Sequence, residues 1–281
     1  MNQPPTNTCN NCGRNFSGNY CNFCGEKVFT DKDKSIKHIF EEALHFVTHF
    51  EGKLLFTIKT LVAKPGKFSL EYCNGIRKKY FKPVSLFLVF VVLYLLFPKM
   101  QGLNMRLETY VSDEYNYTWY AAPLVKRKII STKTSFAELA EKYNHTSPKV
   151  SKLLLLLYLP LTAFVLSILF KKRKRLFFDH FIIATEFNTF VLAIVLIMFP
   201  LLFLIAYSVY HLFNYEIVIP ESALGILLAI LFFGFGYAAL KRFYNEKRAW
   251  TFLKTLLFVG SYLLIHGLYN IILLMVVLAV I

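Results

Sequence analysis

Long apolar blocks alternate with shorter polar and basic stretches along most of this chain. Five blocks approach the roughly 20 helical residues that cross about 30 Å of hydrocarbon. They cover residues 83–97, 153–170, 187–213, 223–240 and 255–281. The pattern predicts an all-α polytopic membrane protein with about five transmembrane helices, in which a helical membrane domain covers residues 83–281.

A different periodicity precedes the first apolar block. Between Ser35 and Ala63, apolar residues recur at steps of three or four, which is typical of an amphipathic helix. Such a helix can lie in the membrane interface, or it can pack its apolar stripe on another part of the protein. Lys64, Pro65 and Gly66 should end it. Together with the basic residues that follow, it is expected to form a juxtamembrane segment at 35–82.

The outer segment at 98–152 separates the first two apolar blocks. Residues Thr109 to Tyr120 are rich in Thr, Tyr and Val, and this composition predicts a strand. Ser135 and Glu138 have the spacing of a capping box. They predict a short helix that ends near Asn144.

Basic residues are concentrated on one side of this arrangement. Of the 32 Lys and Arg, 23 lie before residue 83 or in the loops 171–181 and 241–254, and 9 lie in 98–152. Short cytoplasmic loops retain positive charge, so we predict a bacterial inner-membrane protein with its amino terminus inside and its carboxyl terminus outside. The net charge of +15 is then mainly a topology signal, which argues against a nucleic-acid partner.

Four cysteines near the amino terminus are the strongest chemical signal. Cys9 and Cys12 form one CxxC knuckle, and Cys21 and Cys24 form a second. Two such knuckles can present four thiolates to one tetrahedral ion, and the alternative of two disulfides is disfavoured in a cytoplasmic segment, where thiols stay reduced. We therefore predict a structural zinc ribbon within residues 1–34, which presents a surface to a cytoplasmic protein partner.

A second, speculative metal site lies on one face of the amphipathic helix. Its candidate ligands are spaced by 4, 3 and 4 residues, which lets a helix offer two ligands to one ion. These ligands are His38, Glu42, His45 and His49, and Asp179, His180 and Glu186 at the start of the third apolar block could complete the site. A solvated polar face is the alternative interpretation.

Two polar residues interrupt the last apolar block. His266 and Asn270 are four positions apart and therefore share a helix face. Polar groups at that depth can mark a binding site or a pathway. Hydrogen bonding between helices is the plainer explanation for them.

Several short motifs are similar to those of a known family. They are the double cysteine knuckle, the stretch Lys64-Pro65-Gly66-Lys67-Phe68, and the stretch Gly75-Ile-Arg77-Lys-Lys-Tyr80-Phe-Lys-Pro83. On these residues the chain resembles an uncharacterised bacterial membrane family, domain of unknown function 3667. The resemblance implies a zinc-ribbon head on a helical membrane domain, with no assigned activity. Glu26 stands where the family pattern has Gln.

The sequence contains no Walker loop, no serine nucleophile elbow and no HExxH motif, so we assign no catalytic residue. We expect a binding, regulatory or scaffold role rather than catalysis. The zinc module would recruit a cytoplasmic protein, and the bundle would contact membrane lipids. Two alternatives remain. One is a small-molecule or lipid transporter that uses His266 and Asn270, and the other is a membrane-embedded metal-dependent enzyme that acts on a lipid.

Overall fold

The computed structural model describes residues 6–28, 52–96, 105–112, 117–213 and 220–281. Within these ranges, a two-stranded antiparallel hairpin is followed by helices. The strands are β1 Thr6–Thr8 and β2 Asn15–Ser17, and the helices are α1 Lys53–Ala63, α2 Lys67–Cys73, α3 Pro83–Leu96, α4 Leu107–Val111, α5 Thr118–Thr132, α6 Phe136–Leu154, α7 Tyr158–Leu169, α8 Phe177–Phe213, α9 Glu221–Tyr244 and α10 Arg248–Val280.

Four of the described helical segments are long and apolar enough to cross a membrane. They are Phe136–Leu169, which joins α6 and α7 through a short 3-10 turn, and the helices α8, α9 and α10. The helix α3 is apolar but has 14 residues, so it is about 21 Å long at 1.5 Å per residue. The all-α multi-pass fold is thus confirmed, and a fifth crossing by α3 stays a prediction.

Apolar residues face both the interior and the exterior of this bundle. The helix α8 lies at its centre, where it packs against α2, α3, α7 and α9. The helix α10 packs against α6, α7 and α9. On the outer surface, large apolar side chains are exposed, with Leu263 and Leu264 both at 77%. Helices that are apolar on all sides suit a hydrocarbon surrounding.

The described part of the predicted amphipathic helix is α1, which ends at Ala63 as the Lys-Pro-Gly stretch predicts. Its Leu54 and Leu61 are buried in the core of the bundle. Leu55 and Val62 are exposed on another side of the same helix. For this part of the chain, the stripe therefore packs on other helices, and the remainder of the predicted helix, residues 35–51, lies outside the described residues.

Two predictions for the outer segment are wrong. In the described part of the strand predicted at Thr109 to Tyr120, the chain forms the end of α4 and the start of α5 instead. Leu107 and Tyr110 are buried against neighbouring helices, and tertiary packing overrides strand propensity. The short helix predicted to end near Asn144 begins as expected, with the Ser135 hydroxyl accepting from the Glu138 N–H at 3.2 Å. It then continues to Leu154.

Candidate metal centre

Each CxxC knuckle of the ribbon closes with a tight backbone turn. The carbonyl of Cys9 accepts a hydrogen bond from the N–H of Gly13 at 2.8 Å, and the carbonyl of Cys21 accepts from Gly25 at 2.7 Å. Gly13 and Gly25 have φ angles of +75° and +68°, a region that side chains disfavour. The glycine after each knuckle therefore lets the chain turn and brings the two cysteine pairs to face each other.

The four sulfur atoms converge on one point. The Sγ atoms of Cys9 and Cys24 are 3.5 Å apart, and those of Cys12 and Cys21 are 3.6 Å apart. All four lie within 4.8 Å of one another. Tetrahedral coordination at a Zn–S distance of roughly 2.3 Å requires sulfurs about 3.8 Å apart, whereas a disulfide requires about 2.05 Å. The cluster therefore fits a shared metal ion and does not form disulfides.

The thiols of this cluster differ in how readily they ionise. The side chain of Asn11 hydrogen-bonds to Cys24 and lowers the pKa of that thiol to about 6. The backbone amide of Arg14 lowers the pKa of Cys12, but partial desolvation and the neighbouring thiols outweigh this effect and raise it to about 12. A thiolate at Cys24 is the form that binds metal, and a bound cation would favour ionisation of the other three.

The coordination chemistry of this cluster is that of a closed site. Four thiolates complete a tetrahedral shell and leave no position for a substrate. Cys9 and Cys21 are buried, together with Phe16, in the small core of the ribbon. Among the described residues, this is the group of His, Cys, Asp and Glu side chains that is close enough to share an ion. The four cysteines can thus hold a metal ion.

The ribbon contacts the turn between α2 and α3. The carboxylate of Glu26 accepts a hydrogen bond from the backbone N–H of Lys78 at 2.8 Å, and the Asn10 amide donates to the carbonyl of Asn74 at 3.3 Å. Gly75 has a φ of +91°, and a side chain there would collide with the Asn10 amide. Glu26 and Gly75 are both buried. The stretch that begins with Gly75-Ile-Arg77 is therefore a docking point for the ribbon.

The Pro-Gly stretch between α1 and α2 is held by residues far along the chain. The carboxylate of Glu186 on α8 accepts from the N–H of Gly66 at 2.7 Å, from the N–H of Ser69 at 3.0 Å and from the Ser69 hydroxyl. The guanidinium of Arg242 donates to the carbonyl of Pro65. Glu186 thereby satisfies backbone donors at the start of α2, which a helix end otherwise leaves open.

Three basic segments meet at the same end of the bundle, which we call the basic end: residues 64–82, 171–175 and 241–254. The carboxylate of Glu246 accepts from Arg173 at 3.0 Å and from Lys254 at 2.8 Å. Burial raises the pKa of Glu246, but these two cations outweigh burial and hold that pKa below its ordinary value. The ribbon is attached to this end through Lys78.

The proposed ligands of a second metal are placed as follows. The Nδ1 atom of His180 is at hydrogen-bond distance from the Tyr244 hydroxyl, and Glu186 is engaged by the start of α2. Asp179 accepts from the N–H of Leu176 at 3.2 Å. These three residues are thus engaged by other parts of the fold. His38, Glu42, His45 and His49 lie outside the described residues, and the site that they would form stays a prediction.

The polar residues of the last helix bond to neighbouring helices. The Nδ1 atom of His266 is 2.9 Å from the Tyr158 hydroxyl of α7. The backbone carbonyl of Asn270 accepts from the Tyr110 hydroxyl at 3.2 Å. The contact of His266 supports the interpretation that its side chain connects helices, whereas Asn270 makes its contact through the backbone.

Sequence reasoning missed a further set of hydrogen bonds between helices in the same part of the bundle. The Tyr262 hydroxyl donates to Asn188 Oδ1, and the Asn188 amide donates to the Thr162 hydroxyl at 2.8 Å. These bonds connect α10, α8 and α7. An asparagine inside an apolar block is the signal that could have pointed to Asn188.

Comparison with known proteins bears on one part of the chain. Residues 51–95 match the model of a family described as "Protein of unknown function (DUF3667)". No curated protein and no solved structure matches the chain. The matched segment contains the Pro-Gly stretch held by Glu186, the turn held by the ribbon, and α3. The resemblance to the DUF3667 family that the sequence motifs indicated is thus confirmed over residues 51–95.

Proposed function

We propose that this chain is a binding or regulatory protein of the bacterial inner membrane, in which a cytoplasmic zinc ribbon recruits a protein partner. The observation that carries the proposal is the four-thiol cluster on a ribbon attached to the basic end of the membrane bundle. The bundle would then serve to hold the ribbon at the membrane surface, in contact with lipids.

Zinc is the metal that the donor set favours. A closed tetrahedral shell of four thiolates suits Zn²⁺, and cytoplasmic sites of this composition are typically structural. The ribbon core contains Phe16 and the cysteines, with Val28 packed against it. So small a core supplies little folding free energy, so we infer that the metal supplies most of it.

The surface of the ribbon carries residues that suit a protein partner. Tyr20 and Phe23 are 59% and 60% exposed, and the guanidinium of Arg14 lies 4.6 Å from the centre of the Phe23 ring. Aromatic residues and arginine contribute most of the free energy at many protein interfaces. None of these side chains is a metal ligand. Metal binding therefore gives them no role, whereas binding of a protein partner does.

The positions of the basic segments support the proposed orientation. Arg173 donates to Glu246, and Arg242 donates to the carbonyl of Pro65, which brings the three basic segments to one end. Lys171, Lys172 and Lys174 are exposed there. Basic residues at one end of a bundle favour the cytoplasmic side. A ribbon on that side would keep its thiols reduced and available to zinc.

Site-specific photo-crosslinking in intact cells tests this proposal. A photoreactive residue replaces Phe23 in the full-length chain, and the matched control replaces Trp119, which is 76% exposed on α5. We expect a discrete crosslinked protein at position 23 that is absent at position 119. Substituting Cys12→Ser should abolish this product while membrane insertion is retained. A product that persists in Cys12→Ser, or the absence of any product at position 23, would contradict the proposal.

A further inference from the structure

Two short loops of the basic end lie side by side. One comprises residues 170–176, between α7 and α8, and the other comprises residues 245–247, between α9 and α10. The guanidinium of Arg173 in the first loop donates to the carboxylate of Glu246 at 3.0 Å and to the carbonyl of Asn245 at 3.4 Å. We call these two segments the paired loops.

The acidic residues of the paired loops and of the turns that follow them are already engaged. Glu246 is 8% exposed, and its carboxylate bonds to both Arg173 and Lys254. The carboxylate of Asp179, in the first turn of α8, lies 3.9 Å from the guanidinium of Arg175. The sequence has no further acidic residue in the paired loops or in the first turns of α8 and α10. No carboxylate is left over here to neutralise other cations.

A group of basic side chains around the paired loops is exposed and makes no ion pair with a carboxylate of the described residues. The group consists of Lys171, Lys172, Lys174, Lys247 and Arg248. Each of the five is one or two positions from Arg173 or Glu246, so its Cα atom lies within about 8 Å of the Cα atom of one of these two residues. Like charges at such separations repel one another, and an anion between them would be attracted by several at once.

Large apolar side chains are exposed directly after these cations in the chain. Phe177 at the start of α8 is 41% exposed, and Trp250 in the first turn of α10 is 59% exposed. Both helices are long and apolar enough to cross a membrane. Tryptophan is enriched where a span meets the headgroups of the lipids. This order of residues puts the five cations at the level of the headgroups and the aromatic rings at the edge of the hydrocarbon.

We propose that the paired loops form a binding site for the headgroup of an anionic phospholipid. Lysine and arginine form charge-assisted hydrogen bonds with phosphate oxygens, and the acyl chains of the same lipid suit the exposed rings of Phe177 and Trp250. An acidic protein segment would match the cations alone. Clusters of four to eight basic residues at the cytoplasmic end of a span are a recognised form of anionic-lipid recognition.

The contact between the paired loops distinguishes this site from a topology signal. Basic residues orient a span from within each loop, and this effect does not require two loops to meet. Here the bond between Arg173 and Glu246 holds the loops together and gathers cations from both around one place. The site is also separate from the ribbon, so it does not depend on the protein partner that we propose for Phe23.

Tryptophan fluorescence of the full-length protein in lipid vesicles tests the proposal. The chain has two tryptophans, so in Trp119→Phe all tryptophan emission comes from Trp250 beside the paired loops. The vesicles contain equal amounts of phosphatidylglycerol and phosphatidylcholine, and one of the two carries brominated acyl chains, which quench nearby tryptophan. Each basic residue near the surface favours an anionic lipid roughly fivefold, so brominated phosphatidylglycerol should quench at least about twice as strongly as brominated phosphatidylcholine. Equal quenching would overturn the proposal, and an acidic protein segment would then be the partner that fits the cations.

Neutralising two lysines in the same background tests whether the paired loops cause the preference. Lys172→Gln/Lys174→Gln keeps Arg173 and should reduce the excess quenching by phosphatidylglycerol by about half or more. The matched control is Lys126→Gln/Lys133→Gln, which removes two exposed lysines outside the basic end. Lys133 and Lys174 have φ angles of +53° and +48°, so any backbone effect is matched as well, and the control should keep the full preference. An unchanged preference in the loop variant, or an equal loss in the control, would overturn the proposal.

Discussion

The carboxylate of Glu186 accepts a hydrogen bond from the backbone N–H of Gly66, 120 positions earlier in the chain, at 2.7 Å. Gly66 has a φ of +77°, and a side chain at this position would collide with the backbone of Ala239 on α9. The Pro-Gly stretch of the matched family segment is thus the point at which α2 meets α8 and α9. A left-handed turn and a close backbone approach are both needed there, and glycine permits both.

Substituting Gly66→Ala should strongly destabilise the bundle. The methyl group meets Ala239 and the backbone conformation is unfavourable for alanine, so we expect a loss of about 2–5 kcal/mol in the free energy of unfolding. Denaturant titration of the purified protein measures this loss. The matched control is Gly234→Ala in α9, where a methyl group meets open space and stability should hold or rise. Equal effects at the two positions would contradict this account of the Pro-Gly stretch.

The ion pairs of Glu246 should make stability depend on pH. Arg173 and Lys254 hold the pKa of Glu246 below 4.5, so the stabilisation is fully present above pH 4.5 and is lost as the pH falls through the lowered value. At pH 7, Glu246→Gln should therefore cost about 1 kcal/mol. Thermal unfolding should show the difference from wild type shrinking below pH 4.5.

The exposed pair of Glu138 and Lys142 provides the control for Glu246. Glu138→Gln removes a pair in which both side chains are about half exposed, so it should cost roughly 0.5 kcal/mol or less. A cost at Glu246 that is equally small, or that does not change with pH, would show that Arg173 and Lys254 do not stabilise its charged form.

Much of the architecture was predictable from local pattern. The CxxC spacing predicted the thiol cluster, because ligand geometry is encoded within 16 residues of sequence. Long apolar blocks predicted the helices of the membrane domain, and the Lys-Pro-Gly stretch predicted the end of α1. Each of these signals depends on neighbours in the chain, and no distant contact is needed to interpret it.

The remaining features depend on contacts between distant residues. The partner of Glu186 is 120 positions away, and Tyr262 and Asn188 are 74 positions apart, so no periodicity could pair them. The prediction of a strand at Thr109 to Tyr120 was wrong for the same reason. Tyr110 is buried against Asn270 of α10, and this distant contact decides the local conformation. The helix α6 continues past Pro148, although proline removes one backbone bond, and Ser147 and Ser151 on either side of it are buried.

Removing the metal should loosen the turn at Lys78 without unfolding the bundle. The Lys78 N–H bonds to Glu26 of the ribbon, so chelation should speed its amide exchange roughly tenfold, which corresponds to the loss of one hydrogen bond to a charged group. Hydrogen exchange with mass spectrometry measures this. The Phe81 N–H, which bonds to the Thr57 hydroxyl, is the control and should not change. Unchanged exchange at Lys78 would mean that the ribbon does not hold this turn.

The bond between Tyr262 and Asn188 should contribute to packing within the membrane domain. A double-mutant cycle with Tyr262→Phe and Asn188→Leu should give a coupling free energy of about 0.6–1.7 kcal/mol, as interhelical hydrogen bonds in membranes do. Unfolding in detergent provides the four stabilities. A coupling close to zero would indicate that these side chains do not stabilise the contact between α10 and α8.

The central claim is that the four cysteines bind one zinc ion and that the ribbon needs this ion to fold. Metal analysis of the purified full-length protein tests it most directly, with Cys9→Ser/Cys12→Ser as the comparison. We expect one zinc per wild-type chain and none in the variant. The claim would be contradicted by wild-type protein without metal, by a metal other than zinc, or by a metal that remains in the variant. In the last case, the candidate ligands of the remaining metal would be His38, Glu42, His45 and His49.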